Sequence, residues 1–197
     1  MTDPSRSDLS VDRVIAAFDV MGQYRRERGV LGEIAVYGRT AILLQFRWGN
    51  PTEDVDVVIR TAEREGAVKD AAAFAALRLG LSDDWLNNSV GAFTAEGESE
   101  SFFSAYGTYP RGETPGLRVL LAKPEYICAM KLRALQRETV GDRDFADAVR
   151  LAAELGVETA DDLRHLFTSY FPAESLDPTA AARLPEIAQQ VQSRRQS

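Results

Sequence analysis

Apolar residues Val14, Phe18 and Met21 recur at helical spacing behind Ser10, whose hydroxyl suits a helix N-cap, and Gly29 stops the run, so a helix is predicted from Ser10 to about Arg28. The period then changes. EIAVYG (33–38) reads as a strand, RTAILLQFRW (39–48) reads as a short apolar helix, and the turn GNP (49–51) precedes a second strand, DVDVVI (54–59). The alanine-rich EGAVKDAAAFAALRLG (65–80) predicts a helix, and SDDWLNNSVGAF (82–93) a shorter helix or capped turn carrying Trp85. SFFSAYGTY (101–109) and LRVLLA (117–122) are two more strands, joined by PRGETPG, a loop of turn-forming residues.

From Pro124 the pattern is helical. Pro124 suits a first helical position, and PEYICAMKLRALQRE runs to about Glu138. A second helix begins near Asp142 and stops at Gly156, and Thr159 with Asp162 forms a capping pair for a third. The tail from Asp177 holds at most one more helix, with QSRRQS as a frayed end. The predicted fold class is α/β (α+β): a small sheet with helices on it over residues 1–122, then a helical region, 123–197, packed against it.

Composition narrows the chemistry. The 197 residues, 45% hydrophobic and 27% charged, suit a globular chain with a sizeable core, and a net charge of -7 argues against wholesale coating of nucleic acid while allowing a local basic groove. Arg133, Arg137, Arg143 and Arg150 are candidates for such a groove, although interspersed acids equally describe solvated helix faces. The single cysteine, Cys128, excludes an internal disulfide and fits a reducing compartment. MTDPSRSDLS has neither the basic nor the apolar region of a signal peptide, and no apolar run reaches membrane-spanning length, so a cytoplasmic protein with no membrane partner is expected. Serine, cysteine and zinc chemistries would all have to be built around one histidine, His165, which lies far in sequence from the acidic residues. Trp48, Trp85, Phe102 and Phe103 can stack a base but more often fill a core.

Two features call for an explanation. Asp54 and Asp56 are one residue apart at the mouth of a strand, where i and i+2 side chains share a face, so two like charges stand side by side. A divalent cation neutralises such a pair while both acids stay ionised. The second feature is Lys131, which falls near the centre of the helical stripe made by Ile127, Met130, Ala134 and Leu135. An ammonium there must meet a carboxylate, snorkel to water or line a cleft that takes an anion.

The order strand-GRTA-helix-loop-TEDVDVV-strand, followed by LLAKPEYICAMKLRAL and GDRDFADAVRL, resembles the polymerase-β-like nucleotidyltransferases, specifically the AbiEii and MenT toxin group and related domains, over about residues 30 to 155. DDWLNNSVGAF is similar to a segment of those related domains. The resemblance implies a small mixed sheet of the nucleotidyltransferase type. It also implies that Asp54 and Asp56 bind magnesium or manganese, and that Gly38, Arg39, Thr40 and Thr52 lie near the phosphates of a nucleoside triphosphate. Lys131 would contact the triphosphate, and Asp144 would complete the pocket. The implied activity is transfer of a nucleoside monophosphate to an acceptor hydroxyl, such as a tRNA 3′ end, by a toxin with a cognate antitoxin protein. The chain departs from that pattern twice: Arg39 stands where a second glycine or a serine is usual, and GLRVLLA carries no third carboxylate. Two other readings stay open: the same chemistry on a small molecule or a protein side chain, and a catalytically silent domain that binds a nucleotide or a protein.

Overall fold

The computed structural model describes residues 9–48, 51–61, 65–112, 114–136 and 142–195. Gly49 and Asn50 of the predicted turn, Glu113 of the strand loop, Arg137 and Glu138 at the predicted helix end, and the last two residues of the tail lie outside them. The chain is a mixed α/β protein that divides into two units. One comprises the residues up to Ala92 together with Phe103–Ala122, and the other Phe93–Phe102 together with the chain from Lys123.

In the first unit, α1 (Val11–Arg26) starts at Ser10, whose Oγ accepts the Arg13 N–H at 3.3 Å, and the chain turns away at Gly29 with a φ of 65°. There follow β1 (Gly32–Val36), α2 (Gly38–Phe46), β2 (Val55–Ile59), α3 (Glu65–Leu79), β3 (Leu86–Asn87), β4 (Phe103–Tyr109) and β5 (Leu117–Ala122). They form one sheet in the order β3-β2-β1-β5-β4. β1 runs antiparallel to β2 and parallel to β5, β2 is parallel to β3, and β4 is antiparallel to β5. Its central place explains why β1 is apolar on both faces, with Ile34, Ala35 and Val36 fully buried. α1 packs on α3 and against β4 and β5, with Phe18 tilted over Tyr109.

SDDWLNNSVGAF differs from a helix: it forms a turn, the two-residue β3 and a single 3-10 turn at Gly91–Phe93. Tertiary bonds take the groups a helix would use. The Trp85 carbonyl accepts the Val55 N–H at 2.6 Å, and its buried indole Nε1 donates to the Ala72 carbonyl at 3.0 Å.

The second unit holds α4 (Pro124–Ala134), α5 (Asp142–Leu155), α6 (Ala160–Tyr170) and α7 (Pro178–Arg195). α4 packs on α5 and α6, and α7 on α5 and α6. Thr159 caps α6 by accepting the Asp162 N–H at 3.1 Å, and α7 continues as helix through Arg195, beyond the start of the expected frayed end. Residues 93–102 belong with these helices because Tyr126 holds them. Its Oη accepts the Ala95 N–H at 2.7 Å and donates to Glu98 Oε1 at 2.6 Å, while the Phe102 ring lies 4.9 Å from that of Tyr126 and 4.8 Å from that of Tyr170.

Candidate functional site

The antiparallel register of β1 and β2 brings the glycine turn to the acidic pair. The Tyr37 N–H donates to the Asp56 carbonyl at 2.9 Å, so the chain leaves the sheet and enters α2 level with Asp56. Gly38 follows with a φ of 57°, and a Cβ built on it would stand 2.9 Å from Asp56 Oδ2. Only glycine meets both conditions, a left-handed backbone and a carboxylate against the α carbon. Tyr37, the N-cap of α2, makes no side-chain capping bond, and the carboxylate against the first residue of α2 is that of Asp56. A negative group is stabilised there by the leading N–H groups of the helix.

The same helical turn holds Asp54. Thr40 Oγ1 donates to the Asp54 carbonyl at 2.9 Å, and Thr52 Oγ1 donates to the same oxygen at 2.8 Å. Thr52 is fixed in turn by a two-bond bridge to Leu9, with Leu9 N–H to Thr52 carbonyl at 2.7 Å and the reverse bond at 3.3 Å. Both threonines are buried, so their hydroxyls serve to position the backbone of Asp54. Arg39 lies half-buried on the same first turn. Gly38, Thr40, Thr52, Asp54 and Asp56, singled out from sequence, thus converge within the first unit.

Asn87 joins them without having been singled out. Its Nδ2 donates to Asp54 Oδ2 at 2.7 Å, across the parallel pairing of β2 with β3 that sets Asn87 opposite Asp56. The only sequence signal was the likeness of DDWLNNSVGAF to related domains, which assigned Asn87 no role.

Among the described residues no group of three or more His, Cys, Asp or Glu side chains is placed to hold a metal ion. Among the described residues the acidic pair thus offers a cation two carboxylates. That donor set fits magnesium, which binds through one or two carboxylates and keeps water or substrate phosphate oxygens in its other positions. It does not fit a calcium cage or a structural zinc centre.

Lys131 and Asp144 also come together, within the helical unit. Lys131 Nζ lies 2.6 Å from Asp144 Oδ1 and 3.0 Å from Asp147 Oδ2, with the lysine side chain 15% exposed. The ammonium on the apolar stripe meets carboxylates, one of the three arrangements open to it. Arg133 is engaged similarly, bonded to both Glu174 oxygens at 2.8 and 2.9 Å and lying over the Phe171 ring. Arg143 is exposed and Arg150 half-buried on α5.

The aromatic candidates are used internally: Trp85 is buried, Phe46 stacks on Trp48, and Phe103 meets Tyr37 edge-on. His165 is exposed on α6. Burial pushes the Cys128 thiol up to about 12, and burial together with the Glu98 carboxylate raises the Tyr126 phenol well above its ordinary value, so neither is primed as a nucleophile. Among the described residues no helix is long and apolar enough to cross a membrane. No protein-family model matches the chain, and no curated protein or solved structure matches it either.

Proposed function

We propose that the chain is a nucleotidyltransferase that moves a nucleoside monophosphate from a nucleoside triphosphate to an acceptor hydroxyl. One observation carries the reading: the first turn of α2 meets both acidic residues, through the bare α carbon of Gly38 against Asp56 and the Thr40 hydroxyl on the Asp54 carbonyl. A helix start beside two carboxylates suits a triphosphate and its cation together, because each neutralises what the other leaves. Magnesium or manganese held by Asp54 and Asp56 would offset the charge on the triphosphate oxygens. The chain's own part is to hold the carboxylates in place, through Thr40, Thr52 and the Gly38 turn, and to offer backbone N–H groups to phosphate.

In the reaction the acceptor oxygen bonds to the α-phosphorus, and the bond from that phosphorus to the oxygen bridging the β-phosphate breaks. Pyrophosphate leaves with the electron pair, and the hydroxyl proton passes to solvent. The acceptor is a tRNA 3′ end, on the resemblance noted above. Incubation of each α-labelled nucleoside triphosphate with magnesium and total tRNA tests this, with wild type beside Asp54→Ala and Asp56→Ala. Label entering RNA with wild type only is the expected result. Label moving into a small molecule or the protein itself would keep the chemistry and change the acceptor. No transfer and no magnesium-dependent nucleotide binding would leave a silent domain.

A further inference from the structure

We propose that Asn87 is a positioning residue for the acidic pair: its amide fixes Asp54 Oδ2, leaving the other carboxylate oxygen to face a cation. This rests on the metal-site reading above. The amide is itself held, since Asn87 Oδ1 accepts the Ser89 N–H at 2.8 Å and Nδ2 also reaches the Asp84 carbonyl at 3.5 Å. The Ser89 bond sets which end of the amide is oxygen, so the NH₂ end is committed to Asp54.

A chain of bonds delivers Asn87 to that point. The Trp85 indole is anchored to Ala72 of α3, and the Trp85 carbonyl takes the Val55 N–H. That seats a strand only two residues long, and its second residue is Asn87. So short a strand adds little to the sheet by itself, whereas it puts a neutral, oriented donor 2.7 Å from one of two adjacent like charges. A donor to one carboxylate oxygen restricts rotation of the group and draws negative charge onto the bonded atom. Outer-shell bonds of this kind typically change metal affinity by about 10–100-fold.

Manganese binding, followed by the relaxation of water protons in the absence of nucleotide, provides the test. The full chain is compared with Asn87→Ala, Asn87→Leu, Asp56→Ala and, as a control one residue along, Asn88→Ala. The leucine variant keeps the branched four-atom outline of the asparagine side chain without its amide, so it decides the matter if the alanine variant fails to fold. Wild type and Asn88→Ala should bind alike, and both Asn87 variants at least about 10-fold more weakly. Unchanged affinity in a folded Asn87 variant, even one that melts earlier, overturns the inference and leaves the metal site standing. If wild type binds no manganese, or Asp56→Ala binds as well as wild type, the metal-site reading itself falls and the role of Asn87 falls with it.

Discussion

Gly38→Ala adds one methyl group at the point where α2 meets the acidic pair, and it should do two separable things. A non-glycine residue at a φ of 57° is strained by about 1–2 kcal/mol. The new Cβ would also stand 2.9 Å from Asp56 Oδ2, closer than carbon and oxygen atoms tolerate, so the carboxylate must turn out of its rotamer at a further cost of about 1 kcal/mol. Gly29 separates the two effects, because its φ is 65° and a Cβ there meets nothing within 4 Å. Gly29→Ala therefore carries the strain, and the matching loss of unfolded-chain entropy, without the crowding. Urea denaturation should find Gly38→Ala less stable than Gly29→Ala by about 1 kcal/mol, and the excess should vanish when Asp56 is also alanine. Equal losses for the two glycines, or an excess that persists without Asp56, would refute the contact between Gly38 and the acidic pair.

Other parts of the molecule lend themselves to similar tests. Tyr126→Phe removes the partner of the Ala95 N–H and Glu98, and should cost about 1–3 kcal/mol and speed amide exchange at Ala95; unchanged exchange would mean that Tyr126 does not hold residues 93–102. Lys131→Met leaves Asp144 and Asp147 facing one another and should cost about 3 kcal/mol in urea melts, much of it recovered by adding Asp144→Asn; a variant as stable as wild type would show the ion pairs to be idle. The Cys128 thiol, held near 12 by burial, stays protonated in the fold while the unfolded thiol ionises from about 9. Its contribution is complete below pH 9 and falls by about 1.4 kcal/mol per pH unit as pH rises toward 12. Between pH 9 and 10, where the tyrosines contribute alike to both proteins, Cys128→Ala should flatten the loss of stability measured in urea, and equal slopes would contradict the burial.

The parts of the fold legible in the sequence are those where one local period governs a whole element. The consecutive apolar residues Ile34, Ala35 and Val36 make β1 legible because the strand is central and covered on both faces. The neighbourhood of Gly38 and the acidic pair was equally readable, since a strand, a tight turn, a short helix and a returning strand leave few ways to connect. What escaped depends on bonds between distant segments. β3 exists because Trp85 is tied to α3 and β2, and neither tie leaves a periodic trace in SDDWLNN. Residues 93–102 leave the sheet unit for the helices, held by the Tyr126 phenol and by the Phe102 ring against Tyr126 and Tyr170. For Lys131 the helical wheel was a weak guide: α4 is buried nearly all round, with Tyr126, Ile127, Cys128, Ala129, Leu132 and Ala134 all covered, so a stripe centred on the lysine did not say what it faced. Asp144 and Asp147, three apart on α5, answer that question only in three dimensions.

The central claim is that the acidic pair beside Gly38 supports attack at the α-phosphorus. It is tested most directly by giving the protein the same nucleoside triphosphate labelled in turn at the α and the γ position, with magnesium and tRNA, and following both labels. The account predicts that α-label enters the acceptor while γ-label appears as pyrophosphate, and that both events stop in Asp54→Ala and Asp56→Ala. Label from the γ position on the acceptor, or α-label transfer that survives loss of either aspartate, would contradict it.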